Sequence, residues 1–210
     1  MYSQRRYYID KFFLQYTKEL KGTILDIGGK KIDKRGKFKP NQYLTIFYLN
    51  NDKKSNPDYF LDANSFKIEE QKFDYFFLSE VLEHLEDPSL SIQSAHSILK
   101  ENGIGFISMP FMYRKHPDPI DMQRWTDTKI LKIFEENKFI VQTIKPMGGL
   151  FCVINDFWMF SAINSKKNIL GYINKFFFKI LSPLLKYIDC KTNYLDKFIT
   201  SGWFIIVKKK

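Results

Sequence analysis

The sequence predicts an α/β domain with a largely parallel sheet, and two observations lead to this fold class. Short apolar strands alternate with amphipathic helical segments as far as residue 145, and such alternation is typical of parallel βαβ units. The segment at 73–78, FDYFFL, is apolar without interruption, as expected of a strand that is buried on both faces of a parallel sheet. A length of 210 residues fits one domain, 1–210, with a sizeable core.

The order of the elements follows from the hydrophobic periodicity. Runs of strand length lie at 23–27, 43–49, 58–63, 73–78, 104–109, 139–144 and 203–207, which predicts a seven-stranded, mostly parallel sheet. Helical spacing of apolar residues lies at 7–20, 89–100 and 126–137. Gly22 is expected to end the first helix, and Thr126 is expected to cap the third. Ligands of such sheets bind at the carboxyl ends of the strands.

An apolar, helical insertion at about 150–200 interrupts the alternation before the last strand. Over 168–189 its polar residues fall on one narrow stripe of a helix, and aromatic and aliphatic residues cover the rest. Pro183 is expected to kink or split that helix. No window of about 18 residues is apolar and free of charge, so no membrane-spanning helix is predicted.

Three partners are open for the apolar surface of 168–189. It can pack on the sheet, form a homodimer face, or lie in the interface of a bilayer with its lysines at headgroup level. Burial or dimerisation is slightly favoured over peripheral membrane contact. In the interface the protein would reach a lipid-linked glycan.

The charge balance and the cysteines restrict the class of protein. Lys and Arg number 33 against 23 Asp and Glu, a net charge of +10, which suits phosphate-bearing partners or an anionic membrane surface but also fits ordinary solvated lysine. Cys152 and Cys190 form no CxxC pair and no metal-spaced set, so free thiols and no metal site are expected. The first 20 residues lack the pattern of a signal peptide, and a cytoplasmic location is expected, with the inner face of the membrane as an extension of it.

The stretch ILDIGG, at 24–29, ends the first predicted strand with an acid and two glycines. Gly28 and Gly29 let the backbone turn sharply and approach a ligand without interference from a Cβ. Asp26 suits a ligand with a positive end, such as S-adenosylmethionine, better than a nicotinamide. The loop departs from a dinucleotide loop in lacking the third glycine, and Phe47 stands where an acid often binds ribose.

Several acceptors for the rest of such a cofactor follow the second and third predicted strands. The side chains that can replace a ribose-binding acid are Asn50, Asn51 and Asp52. Asp62, followed by Ala63, is well placed to accept from an adenine amino group.

The run SEVLEHLEDP, at 79–88, follows the buried strand 73–78. It resembles the class I S-adenosylmethionine-dependent methyltransferases. The resemblance implies a Rossmann-like fold and S-adenosylmethionine as cofactor, with Ser79 and Glu80 lining the pocket of its methionine and adenosine parts. It also directs His84 toward the site. Without the neighbouring segments, Glu83 and His84 read as a helix-start acid and a surface imidazole.

The segment at 109–126, MPFMYRKHPDPIDMQRWT, narrows the resemblance. It is similar to small methyltransferases encoded beside glycosyltransferases in bacterial surface-polysaccharide gene clusters. The positions that match their pattern are Pro110, Phe111, Tyr113, His116, Asp118, Pro119, Asp121, Arg124, Trp125 and Thr126. This resemblance implies methylation of a sugar hydroxyl in polysaccharide biosynthesis, with a glycan or lipid-linked sugar as substrate.

The residues of this segment can supply the chemistry of such a reaction. A hydroxyl nucleophile must give its proton to a base; His116 is the first candidate and His84 the second. Asp121, with Asp118, can orient the His116 ring. The predicted substrate site is completed by Tyr113, Trp125 and Arg124, whose planar fork suits a phosphate or carboxylate. An ordered turn, in which Arg124 pairs with Asp121 and Trp125 anchors the loop, is the alternative.

Three other functions are weighed against the methyltransferase. A catalytically inactive, methyltransferase-like module acting as a scaffold or membrane-docked partner is the main alternative, because of the altered loop and Phe47. The net charge prompts a nucleic-acid methyltransferase, but the sequence has no appended RNA-binding module and no base pocket of the Asn/Asp-Pro-Pro-Tyr type. A nicotinamide oxidoreductase is the weakest reading, because Asp26 precedes the glycines and no ribose-binding acid is in place.

Overall fold

A computed structural model describes residues 3–30, 43–117, 120–192 and 198–210, and these residues form a six-stranded sheet with helices on both faces. The strands are β1 (Gly22–Ile27), β2 (Leu44–Leu49), β3 (Phe73–Ser79), β4 (Leu99–Pro110), β5 (Phe139–Pro146) and β6 (Gly202–Lys209). The helices are α1 (Gln4–Thr17), α2 (Pro88–Ile98), α3 (Asp127–Glu136), α4 (Leu150–Ile163) and α5 (Ile169–Lys191), with short 3₁₀ turns at Lys53–Ser55 and Leu82–His84.

The strand order β2-β1-β3-β4-β6-β5 places the segments after β1 to β4 along one edge of the sheet. The first four strands run parallel, with Ile24 opposite Tyr75 and Phe77 opposite Phe106. Strand β6 is antiparallel to both β4 and β5. Because the carboxyl ends of parallel strands share an edge, the loops that follow β1, β2, β3 and β4 meet there.

The strand β3 is buried on both faces, as its apolar run predicts. Phe76 and Leu78 belong to the core cluster that includes Ile92 of α2 and Phe134 of α3. Phe77 points to the other face, where its ring centroid lies 4.6 Å from that of Phe13 in α1. The α/β class and the mostly parallel sheet are therefore confirmed.

One predicted strand is wrong. The segment at 58–63 forms a single bridge between Leu49 and Tyr59 in place of a strand. Its acids are engaged locally instead: Asp58 accepts from the Tyr48 amide at 2.9 Å, and Asp62 accepts from the Asn64 amide at 2.8 Å. Such bonds from a side chain to a nearby backbone group compete with the ladder of a sheet.

The first helix begins and ends earlier than its periodicity indicates. Ser3 caps α1 by accepting from the Arg6 amide, and the helix ends at Thr17. Gly22 does not end the helix but begins β1 at a φ of +118°, where its missing side chain leaves room for the Asp74 carboxylate. The cap Thr126 is confirmed at α3, since its side chain accepts from the Lys129 amide.

The insertion forms a helical hairpin of α4 and α5, and Pro183 lies inside a continuous α5 rather than splitting it. The hairpin is joined partly through polar groups, because Asn174 accepts from Trp158 Nε1 at 2.7 Å and donates to Ser165 Oγ at 2.7 Å. Ser182, part of the predicted polar stripe, is buried in this contact.

The apolar side of α5 therefore faces away from the domain. Of the three arrangements left open for this surface, packing on the sheet does not occur, and the homodimer face and the bilayer interface stay predictions. Leu170 is 71% exposed and Phe176 is 61% exposed. We call this surface the α5 apolar face; its members are Ile169, Leu170, Tyr172, Ile173, Phe176, Phe177, Ile180, Leu184 and Tyr187. None of the helices in the described part of the chain has the length and hydropathy needed to cross a bilayer.

One buried carboxylate ties the hairpin to α1. Asp189 of α5 accepts from Gln4 Nε2 at 3.0 Å and from the Tyr8 hydroxyl at 2.9 Å. It also accepts from the backbone amides of Gly149 at 3.1 Å and Cys152 at 2.8 Å, at the start of α4. Three helices thus share one acceptor.

We expect Asp189→Ala to lower the free energy of unfolding by about 3 kcal/mol or more, because four buried donors lose their acceptor together. The measurement is urea denaturation followed by circular dichroism. Glu136→Ala, which removes an acid from the exposed face of α3, is the control and should change stability by less than about 0.5 kcal/mol. Equal effects of the two substitutions would contradict the role of Asp189.

Candidate functional site

The two glycines that directly follow β1 leave no room for a side chain. Gly28 adopts a φ of +80°, and its amide donates to the Leu49 carbonyl at 2.8 Å. A Cβ on Gly28 would lie 2.8 Å from Val81 Cγ2, and one on Gly29 would overlap the Asp26 carboxylate. The loop therefore presents backbone to the edge of the sheet, as the close approach of a nucleotide cofactor requires.

Asn50 fastens this loop. Its side-chain amide donates to the carbonyl oxygens of Gly28 and Gly29, both at 3.0 Å, and its oxygen accepts from the Asp52 amide at 2.8 Å. Asn50 therefore stabilises the backbone turn at Gly28 and Gly29. Phe47 lies in the core, with its ring 5.6 Å from that of Phe73. The departure from the third glycine falls within 31–42, outside the described residues.

The two residues predicted to contact adenine lie in a turn after the Tyr59 bridge. The Asp62 carboxylate accepts from the backbone amide and the side-chain amide of Asn64, at 2.8 and 3.0 Å. Ala63 packs against the main core cluster. Their role toward a cofactor stays a prediction.

Glu80, which follows β3, contacts Arg5 of α1, a partner that the sequence did not indicate. Ser79 Oγ lies 3.0 Å from Ser108 Oγ of β4. Glu80, at a φ of +59°, forms an ion pair with the buried Arg5 of α1. The Arg5 guanidinium also lies 3.9 Å from the centre of the Tyr113 ring. Burial alone would lower the pKa of Arg5, but attraction to Glu80 and other groups outweighs burial and raises it.

The position of Arg5 is set by a distant acid. Asp156 of α4 accepts from the amides of Gln4 at 2.7 Å and Arg5 at 2.9 Å, which caps the first turn of α1. No sequence signal connects these residues, which lie about 150 positions apart.

The centre of the site is a group that we call the Glu83 cluster, defined as Glu83, His84 and His116. Glu83 Oε1 lies 3.6 Å from Nε2 of His84 and 3.5 Å from Nε2 of His116. The two imidazole rings are 5.2 Å apart. Burial raises the pKa of Glu83. Both predicted catalytic histidines therefore lie next to Glu83, which the sequence alone indicated as an acid at the start of a helix.

Asp121 lies beside His116, where the sequence predicted it. Its Oδ2 accepts from the His116 amide at 2.8 Å and lies 3.4 Å from His116 Nδ1. Arg124 holds the same carboxylate through both of its terminal nitrogens, with Nη2 2.7 Å from Oδ2. These bonds from Arg124 hold the pKa of Asp121 well below its usual range. Asp118, the second predicted orienting acid, lies outside the described residues.

The predicted substrate residues divide into two groups. The prediction that Trp125 lines the substrate site is wrong, because Trp125 is buried in the core. Its Nε1 donates to Gln123 Oε1 at 3.0 Å, and its carbonyl accepts from Trp203 Nε1 at 2.9 Å. It anchors the segment instead of lining a surface. Arg124 is engaged with Asp121, as the ordered-turn alternative holds.

Tyr113 remains at an accessible position between α1 and α4. Its ring lies 5.6 Å from that of His116. It lines a cavity of about 380 Å³ whose other walls are Ser3, Arg6, Arg114, Met159, Phe160, Ile163 and Asn164. Tyr113 connects this cavity to the Glu83 cluster, and a cavity of this kind is a suitable place for an acceptor substrate.

A Rossmann-like sheet with a glycine loop at its first strand end and acids at its next strand ends defines the class I methyltransferase architecture. The profile described as "Methyltransferase domain" matches residues 1–137. The chain belongs to this family of enzymes, whose methyl donor is S-adenosylmethionine. A comparison with curated proteins found no significant sequence match.

Solved structures share the fold at low sequence identity. The [4+2]-cyclase SpnF is 12% identical, with a TM-score of 0.60 over 96% of this chain and 80% of that one. An S-adenosylmethionine-dependent methyltransferase from Mesorhizobium loti is 11% identical, with a TM-score of 0.55 over 98% of both chains. Coclaurine N-methyltransferase, bound to S-adenosylhomocysteine, is 11% identical, with a TM-score of 0.55 over 97% and 72%. At this identity the likeness shows the fold alone.

We expect Gly28→Ala to weaken the binding of S-adenosylhomocysteine about tenfold or more, because a Cβ at positive φ strains the loop and collides with Val81. The measurement is calorimetric titration of the purified protein. Gly22→Ala is the matched control: it makes the same change at positive φ at the other end of β1. It should lose stability and keep its affinity, whereas unchanged affinity in Gly28→Ala would contradict the assignment of the loop.

Proposed function

We propose that this methyltransferase transfers a methyl group to a hydroxyl of a sugar during the assembly of a bacterial surface glycan. The observation that carries the proposal is the setting of His116 in the Glu83 cluster, since a hydroxyl acceptor needs a group that takes its proton. The likeness of 109–126 to methyltransferases of polysaccharide gene clusters supports the sugar as acceptor.

The residues of the site divide the work. When bound, S-adenosylmethionine supplies an electrophilic methyl group on its sulfonium, and the glycine loop after β1 would hold it. His116 receives the proton of the attacking hydroxyl. Asp121, which Arg124 holds in place, orients the imidazole ring. Tyr113 and the cavity beside it position the acceptor, and positioning supplies most of the acceleration in a direct displacement.

We expect His116→Ala to keep its affinity for S-adenosylhomocysteine and to lose turnover by about 10²- to 10⁴-fold, because the proton of the hydroxyl then lacks its acceptor. Turnover is measured as S-adenosylhomocysteine released with a panel of nucleotide-linked and lipid-linked sugars. His96→Ala, which removes the imidazole on α2, is the control and should retain full turnover. Wild-type turnover in His116→Ala would sink the assignment.

The α5 apolar face supports a second part of the proposal, in which the protein works on an anionic bilayer. Its members are too exposed and too numerous for an ordinary surface. Lys175, Lys179 and Lys186 lie along one side of α5, and the chain carries a net charge of +10. The exposed side chains of Phe160 and Ile163 on α4 also line the cavity next to Tyr113. A lipid-linked sugar would therefore enter the site from the membrane side.

We expect the wild type to float with vesicles that contain anionic lipid. The double variant Phe176→Asp, Phe177→Asp should remain at the bottom of the gradient, because it places two charges on the α5 apolar face, which would insert into the bilayer. Phe60→Asp, which changes an equally exposed phenylalanine outside the hairpin, should float like the wild type. A wild type that stays unbound and forms a dimer lost in the double variant would favour the homodimer face instead.

A further inference from the structure

The Glu83 cluster contains a carboxylate that the fold leaves unsatisfied. Glu83 is 0% exposed, and neither of its carboxylate oxygens has a hydrogen-bond partner among the described residues. A buried acid without hydrogen bonds or a counter-charge is costly, so such a group calls for a proton or a cation.

The neighbouring acids each have a cationic partner, although Glu80 Oε1 also lacks a hydrogen-bond partner among the described residues. Glu80 pairs with Arg5, and Asp121 pairs with Arg124. Within the described ranges, Glu83 has only the two imidazoles within ion-pair distance. The unbalanced negative charge of the site is therefore concentrated on Glu83.

Both imidazoles of the cluster turn Nε2 toward Glu83. Nδ1 of His84 bonds to the carbonyl oxygen of Ile120, and Nδ1 of His116 lies 3.4 Å from Asp121 Oδ2. Carbonyl and carboxylate oxygens only accept, so each Nδ1 carries the proton of the neutral ring. Each Nε2 then presents a lone pair toward the Glu83 carboxylate.

We propose that the Glu83 cluster binds a divalent cation of the zinc class through Glu83 Oε1 and the Nε2 atoms of His84 and His116. The three donor atoms lie within 4.8 Å of one another. Ligands at about 2.1 Å from a tetrahedral ion are about 3.4 Å apart, and Glu83 Oε1 lies 3.5 and 3.6 Å from the two nitrogens. The carbonyl oxygens of Arg114 and Ile120 bond to Nδ1 of His116 and His84, and such outer hydrogen bonds orient metal-binding imidazoles.

The donor set selects the kind of ion. Two imidazole nitrogens and one carboxylate suit Zn²⁺, Mn²⁺, Fe²⁺ or Co²⁺, whereas Ca²⁺ and Mg²⁺ prefer oxygen ligands alone. Three protein ligands leave at least one position open for water or a substrate oxygen. The cysteines, the ligands considered in the sequence analysis, take no part: Cys152 is buried beside Ser201, and Cys190 is exposed.

The cation would change the role of His116, and this step rests on the proposed function. A metal ion occupies the Nε2 lone pair that a general base needs, so the imidazole cannot accept a proton there at the same time. The acceptor hydroxyl would instead bind at the open position, where a cation lowers the pKa of a bound hydroxyl. The hydroxyl would release its proton to water, and its oxygen would take the methyl group as the sulfonium of S-adenosylmethionine leaves as a neutral thioether. The cluster thus activates the acceptor through the ion rather than through the ring.

The test uses the full chain without a histidine tag, stripped with a chelator and titrated with Co²⁺ alone. We expect one Co²⁺ per chain, seen by its visible absorption, and displacement by Zn²⁺. His84→Ala and His116→Ala should each weaken Co²⁺ binding about tenfold or more, and Glu83→Gln should do the same at nearly constant volume. His96→Ala removes the only other histidine of the sequence and should bind Co²⁺ like the wild type.

Two results would overturn the proposal: no Co²⁺ binding by the wild type, or a loss in His96→Ala as large as that in His84→Ala. Calorimetry of the same variants with S-adenosylhomocysteine shows that they are folded. Full methyl transfer by the stripped enzyme would overturn the activating role of the cation and leave His116 as the base. Loss of S-adenosylhomocysteine binding by the wild type would instead contradict the proposed function, since the Co²⁺ titration requires neither cofactor nor acceptor.

Discussion

Two buried carboxylates, Asp156 and Asp189, hold the amino-terminal helix against the hairpin, and the site depends on this attachment. Asp156 accepts from the amides of Gln4 and Arg5, and Asp189 accepts from the Gln4 side chain. The first turn of α1 is thereby fixed over the carboxyl ends of the strands. Burial raises the pKa of Asp156, which means that the ionised carboxylate is electrostatically unfavourable at the contact between α1 and α4. As a result of the attachment, Arg5 reaches Glu80 and Tyr113 near the carboxyl end of β3.

The sequence predicted the elements that a hydrophobic period or a single cap residue specifies, and it also predicted one strand that side-chain bonds to the backbone prevent. The strand 73–78 and the cap Thr126 are visible in the pattern, because each follows from the period of a strand or from one side-chain bond. The false strand at 58–63 has a strand-like composition, but Asp58 and Asp62 bond to nearby backbone amides. The strand propensity of these residues takes no account of side-chain bonds that compete with the hydrogen bonds of the sheet.

The sequence predicted which segments form the candidate site but not which residues pair with one another within it. The loops after β1, β3 and β4 were chosen because carboxyl ends of parallel strands meet. Arg5 could not be found in this way, since α1 reaches the site through Asp156. The sequence left burial, dimerisation and membrane contact open for the α5 apolar face, because an apolar helix side does not by itself name its partner. In α5 the contact with α4 is made partly by Asn174 and Ser182, which leaves the apolar side outward.

The fold does not determine the reaction, since a [4+2]-cyclase shares it. In this chain, residues 120–125 cover the turn after β3. The Met122 amide donates to the Glu83 carbonyl at 2.9 Å, and Gln123 Nε2 donates to the carbonyls of Leu82 and Leu85 at 3.1 and 2.8 Å. These bonds join two loops into one rigid unit, and they bury Glu83 between two imidazoles. A buried acid at that position is unfavourable for stability alone, and the proposed cation would supply the positive charge that Glu83 lacks.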